Sequence, residues 1–374
     1  MPELPEVETV ARDLRPRLVG ATIVGTRTNW VRTLRSQDPI AFADGVAGRS
    51  VLAVGRRGKQ LVVELSGEAA LTIHLKMTGQ LFVVPADVPE DPYVRLVLEL
   101  AGGRELRFRD IRKFGRIGLY GRDPVSGDLV EEVGGAAVFA GVGPEPLDEA
   151  FTLRDFRRLL RRRKGRLKPL LTDQSFLAGV GNIYADEALW RARLHPLRSA
   201  ASLRPPDERR LFEAIRGVLG EAVERRGSSI DDYTAPDGDG SMQETLDVYQ
   251  RTGEQCARCG RPVKRIVVGA RSTHFCSWCQ RLSAADRKGS GAILRGMVGG
   301  RVGRVGRGRR WTEMAAGEGS TGLTASEATD AAAREDAARE AAAREAARAK
   351  TARTKRAAAS RRAAARASMG ESPR

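Results

Sequence analysis

The chain has 374 residues, with 64 Lys or Arg against 47 Asp or Glu, so its formal net charge is +17. An excess of this size favours a polyanionic partner such as nucleic acid. The charge is concentrated at the end of the chain, where residues 283–374 carry 20 basic and 10 acidic residues. No apolar run approaches the length of about 20 residues that spans a bilayer, and the N-terminus lacks the layout of a signal peptide. The sequence therefore predicts a cytoplasmic protein with no membrane partner.

The first eight residues, Met1 to Glu8, indicate an unusual nucleophile. Methionine is commonly removed before a small residue, which would give Pro2 a free secondary amine. An α-amino group has a reference pKa near about 8, below the value of about 10.4 for lysine, and the positive end of a helix lowers it further. Such an amine can attack a sugar or carbonyl carbon to form an iminium, with Glu3 and Glu6 as acid and base. An ordinary amphipathic first helix is the alternative for this stretch alone.

The next hundred residues alternate between short β-branched segments and glycine turns, a pattern typical of an antiparallel sandwich or barrel. The predicted strands are Thr22–Val24, Val51–Val54, Gln60–Leu65, Leu71–His74, Leu81–Val84, Val94–Leu100, Glu105–Phe108 and Ile117–Tyr120. A Gly/Pro connector follows over residues 134–150.

From Leu153 onward the hydrophobic spacing becomes helical, up to a polar, glycine-rich segment over residues 227–242. This segment is too polar to pack and too long for a turn, which predicts a mobile functional loop. Beyond the last cysteine, Gly296–Trp311 is rich in Gly and Arg and is expected to be disordered. Residues 328–368 are rich in Ala, Arg and Glu, which favours a solvated helix.

All four cysteines fall in one short segment, as two Cys-x-x-Cys pairs separated by sixteen residues. This spacing predicts a tetrahedral site with four thiolate ligands for one structural Zn²⁺ and no open position for catalysis. A redox dithiol is the competing interpretation, but no βαβ pattern surrounds the pairs. The predicted ligands are Cys256, Cys259, Cys276 and Cys279.

Four further motifs are ambiguous when taken singly. Residues 55–59, GRRGK, form a basic turn that is either a phosphate contact or a solvated hairpin. Met77 and Phe114, in HLKMTG and DIRKFG, are either core residues or a wedge that enters a base stack. Residues 179–187, GVGNIYADE, open a helix whose backbone N–H groups would point at an anion, with Asn182 as an extra donor.

In this order, the motifs closely resemble those of the bacterial formamidopyrimidine-DNA glycosylases, relatives of the endonuclease VIII enzymes. The resemblance covers about residues 1–282, and the opening MPELPEVET is the form found in the formamidopyrimidine branch. It implies an α+β fold with an N-terminal β-sandwich flanked by helices, a helical domain with a helix-two-turns-helix motif and a C-terminal zinc finger. A basic low-complexity tail lies outside the resemblance.

The resemblance implies base-excision repair with AP lyase activity on oxidised purines, namely 8-oxoguanine and formamidopyrimidines. Pro2 would attack C1′ of the damaged nucleotide, and the imine would undergo β- and δ-elimination. The implied catalytic residues are Pro2, Glu3, Glu6, Lys59 and Arg271. The implied DNA contacts are His74, Met77, Arg112, Phe114, Lys168, Asn182, Tyr184 and Arg271. Excision requires the nucleotide to leave the stack, which agrees with a wedge, a phosphate clamp and a pocket nucleophile.

The expected partner is damaged double-stranded DNA, bound by a monomer associated with the bacterial nucleoid. Two rival interpretations are an endonuclease VIII-like enzyme for oxidised pyrimidines and a zinc-containing DNA-binding protein without catalysis. The predicted domains are 1–133 (catalytic sandwich), 134–150 (linker), 151–250 (helix-two-turns-helix), 251–282 (zinc finger) and 283–374 (disordered to helical tail).

Overall fold

The computed structural model describes residues 1–35, 37–131, 135–229, 238 and 240–299. The helices are α1 (Leu4–Leu18), α2 (Pro39–Val46), α3 (Leu153–Arg161), α4 (Leu167–Thr172), α5 (Asn182–Arg191), α6 (Pro205–Glu224), α7 (Ala284–Arg287) and α8 (Gly291–Arg295). The strands are β1 (Ile23–Thr28), β2 (Val51–Arg57), β3 (Gln60–Leu65), β4 (Ala69–His74), β5 (Gly79–Pro85), β6 (Val94–Leu100), β7 (Arg104–Asp110), β8 (Arg116–Arg122), β9 (Leu129–Val130), β10 (Lys264–Val268) and β11 (Arg271–Phe275).

The N-terminal strands form two antiparallel sheets, in the orders β1-β6-β7-β5 and β2-β3-β4-β8-β9. Residues of both sheets and of α1 share one buried core, so the region is a sandwich closed by a helix. All eight predicted strands are confirmed, and of the two predicted architectures the sandwich is the one observed. The sequence analysis missed α2 and the two-residue strand β9.

Helix α1 joins the sandwich to the helical region. Pro5 stands in its first turn, where a missing N–H is tolerated, and Glu6 accepts the backbone N–H of Glu3 at 2.8 Å. One face of α1 is buried in the sandwich core through Val7, Val10, Ala11, Leu14 and Leu18. Leu4, one turn earlier, belongs instead to the core of the helical region. The first turn of α1 is therefore held between the two cores.

Helices α3 to α6 pack around a second core, in which Phe156 contacts Phe176 and Phe212 with ring centroids 5.9 and 5.5 Å apart. Helices α5 and α6 contact each other, and α6 also contacts α1. No helix in the described ranges is long and apolar enough to cross a membrane.

The hairpin β10–β11 is followed by a packed extension over residues 283–299. Ile293 and Leu294 of α8 contact the apolar face of the hairpin. Val298 then pairs antiparallel with Arg265 of β10, through two backbone hydrogen bonds of 2.9 and 3.0 Å. The predicted disorder from residue 296 is therefore wrong as far as residue 299. The apolar residues of α8 are too few to give a helical period that sequence analysis would detect. The predictions for residues 300–374 lie outside the described residues.

Candidate active site and zinc centre

A cavity of about 370 Å³ opens at the first turn of α1, between the sandwich and the helical region. We call it the N-terminal cavity. It brings together six of the predicted site residues, which are Pro2, Glu3, Glu6, Lys59, Asn182 and Arg271. They come from α1, the β2–β3 turn, the start of α5 and the start of β11. Pro2 is buried, whereas the preceding Met1 is 46% exposed.

The Glu3 carboxylate binds the N-terminus of α5. Its two oxygens accept the backbone N–H groups of Gly181 at 2.7 Å and Ile183 at 2.9 Å. A Cβ atom on residue 181 would lie 2.3 Å from the Glu3 carboxyl carbon and 2.6 Å from Lys59 Nζ, so only glycine permits this approach. The helix start that was predicted to bind an anion does so, and the anion is Glu3 of the same chain.

Glu6 lies directly behind Glu3 and is almost fully buried. Its carboxylate accepts hydrogen bonds from the Tyr184 hydroxyl and from the Ser228 backbone N–H, in addition to the Glu3 N–H. Burial raises the pKa of Glu6, and the neighbouring Glu3 carboxylate raises it further. Tyr184 is thus directed at Glu6, and its predicted role as a DNA contact stays a prediction.

Lys59 stands in the tight turn between β2 and β3, with its side chain 8% exposed. Burial lowers its pKa, the Glu3 carboxylate opposes this, and Arg271 adds to the lowering. The two arginines of the same motif form contacts within the protein. Arg56 and Arg57 form ion pairs with Glu145 of the connector, at 2.5 and 2.9 Å. The turn is therefore packed against the connector, which excludes the solvated-hairpin interpretation.

Two adjacent acids of α5, which the sequence analysis did not single out, bind segments that surround the N-terminal cavity. Asp186 pairs with the buried Lys168 Nζ at 2.6 Å and accepts the His274 backbone N–H of β11 at 2.9 Å. Asp186 therefore ties the Arg271-bearing hairpin to α5. Lys168 lies behind the cavity wall, and its predicted contact with DNA stays a prediction.

Glu187 is the second of these acids. Its carboxylate accepts the backbone N–H groups of Asp247, Val248 and Tyr249 at 2.8–2.9 Å. Burial outweighs these three bonds and raises the pKa of Glu187 to about 7. Tyr249, which the carboxylate holds in place, lines the N-terminal cavity. Nothing in the sequence around Tyr249 gives a signal that could have identified it.

Two loops beside β4 and β7 carry the predicted wedge, and we call residues 75–78 and 111–115 the wedge loops. The hydroxyl of Thr78 donates to Asp110 and accepts the backbone N–H of Arg112, which joins the loops. Met77 is 37% and Phe114 47% exposed, so neither is a core residue. The Arg112 guanidinium lies over the Phe114 ring, 5.2 Å from its centroid.

His74 ends β4 just before the first wedge loop. Its Nδ1 accepts the backbone N–H of Lys76 at 3.1 Å. Burial lowers its pKa to about 3, with further lowering by Lys76, Lys59 and Arg35. At neutral pH the ring is therefore uncharged and carries its proton on Nε2, which can donate a hydrogen bond.

The predicted functional loop of residues 227–242 lies largely outside the described residues, at 230–237 and 239. Its two ends are hydrogen-bonded together, since Gly227 O accepts the Met242 N–H at 3.1 Å and Ser229 Oγ accepts the Gly240 N–H at 3.0 Å. The segment therefore begins and ends at the wall of the N-terminal cavity, where Ser228 contacts Glu6.

The four cysteines form a structural zinc site. Their sulfur atoms all lie within 4.8 Å of one another, with Cys256–Cys279 at 4.0 Å and Cys259–Cys276 at 3.5 Å. Tetrahedral zinc with bonds of about 2.3 Å places its sulfur ligands about 3.8 Å apart, so the donor set fits the ion. The indole N–H of Trp190, near the end of α5, donates to Cys256 Sγ at 3.4 Å.

Comparisons with known proteins agree with this geometry. Three family models match, described as the formamidopyrimidine-DNA glycosylase N-terminal domain (residues 1–117), its H2TH domain (142–234) and the zinc finger found in FPG and IleRS (253–282). The formamidopyrimidine-DNA glycosylases of Herpetosiphon aurantiacus and Chloroflexus aurantiacus are 49% and 47% identical over 282 residues, covering 75% of this chain and 100% and 98% of theirs.

Among solved structures, a Lactococcus lactis FPG mutant in complex with a Fapy-dG containing DNA is 36% identical, with a TM-score of 0.69. The MutM (FPG) protein from Thermus thermophilus is 44% identical, with a TM-score of 0.65. Each comparison covers 75% of this chain and all of the other. With three matching domain models in order and relatives matched over nearly their whole length, the chain belongs to the formamidopyrimidine-DNA glycosylase family.

Proposed function

We infer that this chain excises oxidised purines from duplex DNA and then cleaves the strand, with Pro2 as the nucleophile. The observation that carries this function is the N-terminal cavity, in which a buried Pro2 lies next to Glu3, Lys59 and Arg271. The Fapy-dG DNA bound by the Lactococcus lactis relative supports purine lesions as the substrate class.

In the proposed reaction, removal of Met1 frees the Pro2 amine, which attacks C1′ of the flipped nucleotide. The bond from C1′ to the base breaks, and the base leaves with a proton. The sugar ring then opens at the C1′–O4′ bond, O4′ takes a proton, and an iminium joins Pro2 to C1′. Loss of a C2′ proton expels the 3′ phosphate, a second elimination expels the 5′ phosphate, and water releases Pro2.

The positions of the acids suggest separate roles for them. Glu3 lies at the cavity surface and is fixed by two N–H groups of α5, so we assign to it the proton transfer at O4′. Glu6 is a positioning residue, because its oxygens are taken up by Tyr184, Ser228 and the Glu3 backbone. The positively charged Lys59 and Arg271 would bind the phosphates on either side of the lesion.

The wedge loops supply the remaining requirement. Met77 and Phe114 would enter the gap that the flipped nucleotide leaves, and Arg112 would contact the orphaned partner base. We expect the enzyme to act as a monomer associated with the bacterial nucleoid, since every proposed site residue comes from one chain. Light scattering with and without DNA would test this expectation.

Borohydride trapping tests the proposal on a duplex with one 8-oxoguanine opposite cytosine. The wild type should form a covalent complex, and Pro2→Gly should lose it. Intact-mass measurement of the mature chain should show that Met1 is absent. Trapping on a thymine glycol duplex alone would assign the chain to oxidised pyrimidines. Tight binding without trapping on either duplex would leave a non-catalytic DNA-binding protein.

A further inference from the structure

The hairpin β10–β11 ends in a turn that places Arg271 at the wall of the N-terminal cavity. Val268 and Arg271 are paired across the hairpin, and Gly269 and Ala270 connect them with φ angles of +57° and +61°. Two positive φ angles are typical of a two-residue type I′ turn. Glycine adopts this conformation freely, whereas an alanine in it is strained. The turn before Arg271 therefore needs support from the residues that pack against it.

Helix α8, in the extension over residues 283–299, gives this support. Val268 is 5% exposed and belongs to the apolar cluster on one face of the hairpin. Ile293 and Leu294 of α8 pack against the same cluster, and α8 contacts β10. Because Val268 is the direct neighbour of Arg271 across the hairpin, the packing of α8 fixes the strand from which the turn begins.

The extension is itself fixed at two points. Near its start, the Asp286 carboxylate accepts the backbone N–H of Ser199 in the helical region at 3.1 Å. At its end, Val298 pairs with Arg265 along the outer edge of β10. The opposite edge of the hairpin, β11, is bound by Asp186 of α5. The hairpin is therefore held along both edges, and the extension supplies the support on the β10 side.

The Arg271 side chain depends on this support of the backbone. It is exposed, and in the ranges that the structure describes no carboxylate forms an ion pair with it. Burial lowers the pKa of both Lys59 and Lys168, and the charge of Arg271 adds to the lowering. With two like charges nearby and no carboxylate bound to it, the guanidinium is placed by the hairpin backbone rather than by a side-chain partner.

We propose that the extension is a positioning element for Arg271, in which Ile293 and Leu294 hold the hairpin turn so that the guanidinium meets a phosphate beside the lesion. The proposal rests on the proposed function for the phosphate that Arg271 binds. The matched zinc-finger domain ends at residue 282, so this support comes from a part of the chain beyond the three family domains. Ile293 and Leu294 act through Arg271 and are positioning residues.

Binding to a duplex with a tetrahydrofuran abasic analogue tests the proposal, because this duplex cannot form the imine. Arg271→Gln should reduce the slope of log K against log salt by about 0.9, as expected for the loss of one phosphate contact. Leu294→Ala should reduce the slope in the same direction and weaken binding about 3- to 10-fold. In the Arg271→Gln background, Leu294→Ala should weaken binding less than about twofold, because the contact through which it acts is already absent.

Two further variants separate positioning from a general loss of stability. Leu294→Met keeps the apolar volume and should retain the wild-type slope. The matched control is Leu153→Ala, which makes the same change at a partly buried residue of α3 that packs on the core of the helical region. It should lower the melting temperature without changing the slope. Melting temperatures of all variants define a binding temperature at which each is folded.

An unchanged slope in Leu294→Ala, with a reduced slope in Arg271→Gln, would overturn the proposal. So would an equal loss of affinity from Leu294→Ala in both backgrounds. An equal slope change in Leu153→Ala would also overturn it, because the effect would then follow stability rather than the hairpin. An unchanged slope in Arg271→Gln would refute the phosphate contact of Arg271 and, with it, the proposal.

Borohydride trapping of the same preparations on the 8-oxoguanine duplex tests the proposed function separately. Failure of trapping by the wild type, with the slope differences intact, would contradict the proposed catalysis alone. The extension would then stand as a positioning element for a DNA-binding residue.

Discussion

In the N-terminal cavity charged side chains are buried, whereas in the wedge loops apolar side chains are exposed. Glu3, Glu6 and Lys59 are at most 8% exposed, while Met77 and Phe114 are more than a third exposed. Both arrangements reverse the usual distribution, and both are unfavourable in the free protein. The hydrogen bonds of α5 compensate the buried acids, whereas Met77 and Phe114 stay partly exposed even with Arg112 over the Phe114 ring. The comparison suggests that the cavity is preorganised by the fold, while the wedge acquires its partner only when DNA binds.

The largest expected effect comes from neutralising a buried charge. Glu3→Gln should lower the rate of single-turnover excision about 10²- to 10⁴-fold, because it removes the group placed for proton transfer. Quenched-flow assays on the 8-oxoguanine duplex measure this rate. Glu149→Gln, at an exposed position in the connector, is the control and should leave the rate unchanged. A Glu3→Gln rate within threefold of the wild type would refute the assigned role.

Substitutions of two phenylalanines, one buried and one exposed, test the role of the wedge loops. Phe108 is 1% exposed in the sandwich core. Changing it to Ala should lower the unfolding free energy by about 3–5 kcal/mol. Phe114→Ala should change stability by less than about 0.5 kcal/mol. It should nevertheless reduce excision about tenfold, because the wedge no longer offsets the unstacking of a base step. Urea denaturation and single-turnover kinetics separate the two effects, and equal destabilisation by both changes would place Phe114 in the core.

The pH dependence of stability tests whether the buried acids carry an energetic penalty. The pKa of Glu187 rises from 4.5 to about 7 on folding, so the folded state binds more protons in this range. The unfolding free energy should therefore fall as the pH rises from about 4.5 to 7, by up to about 3 kcal/mol from this group. Glu187→Gln should lack this component. Urea denaturation at pH 5 and pH 8, with zinc present, gives the difference, and parallel pH profiles for the two proteins would contradict it.

The smallest expected effect concerns the end of the chain. Ending the chain after Gly299 should leave stability unchanged but reduce the salt dependence of DNA binding, because the removed segment is strongly basic. Ending the chain after Leu282 should lower the unfolding free energy by about 1–3 kcal/mol, because Ile293 and Leu294 no longer pack on the hairpin. Equal melting temperatures for the two truncations would show that residues 283–299 add no stability.

The sequence predicted the strands, the zinc ligands and half of the residues that line the N-terminal cavity. Strand alternation and cysteine spacing are local patterns, so one chain suffices to detect them. The exposure of Met77 and Phe114 could not be predicted in this way. The same local sequence pattern occurs around exposed residues at loop tips and around buried core residues. The long-range partners of Arg56, Glu6 and Glu187, namely Glu145, Ser228 and Tyr249, were also missed, since each lies more than 40 residues away along the chain.

The contacts of Glu3 have a consequence for how the protein is made. Glu3 leaves the ribosome well before Gly181 and Ile183, from which it is separated by 178 and 180 residues. Ser228, a hydrogen-bond partner of Glu6, is translated later still. The sandwich can form around α1 during synthesis, but Glu3 and Glu6 lack these distant partners until the helical region has been translated. We therefore expect a nascent or truncated sandwich domain to lack DNA cleavage until the chain has been translated beyond Ser228.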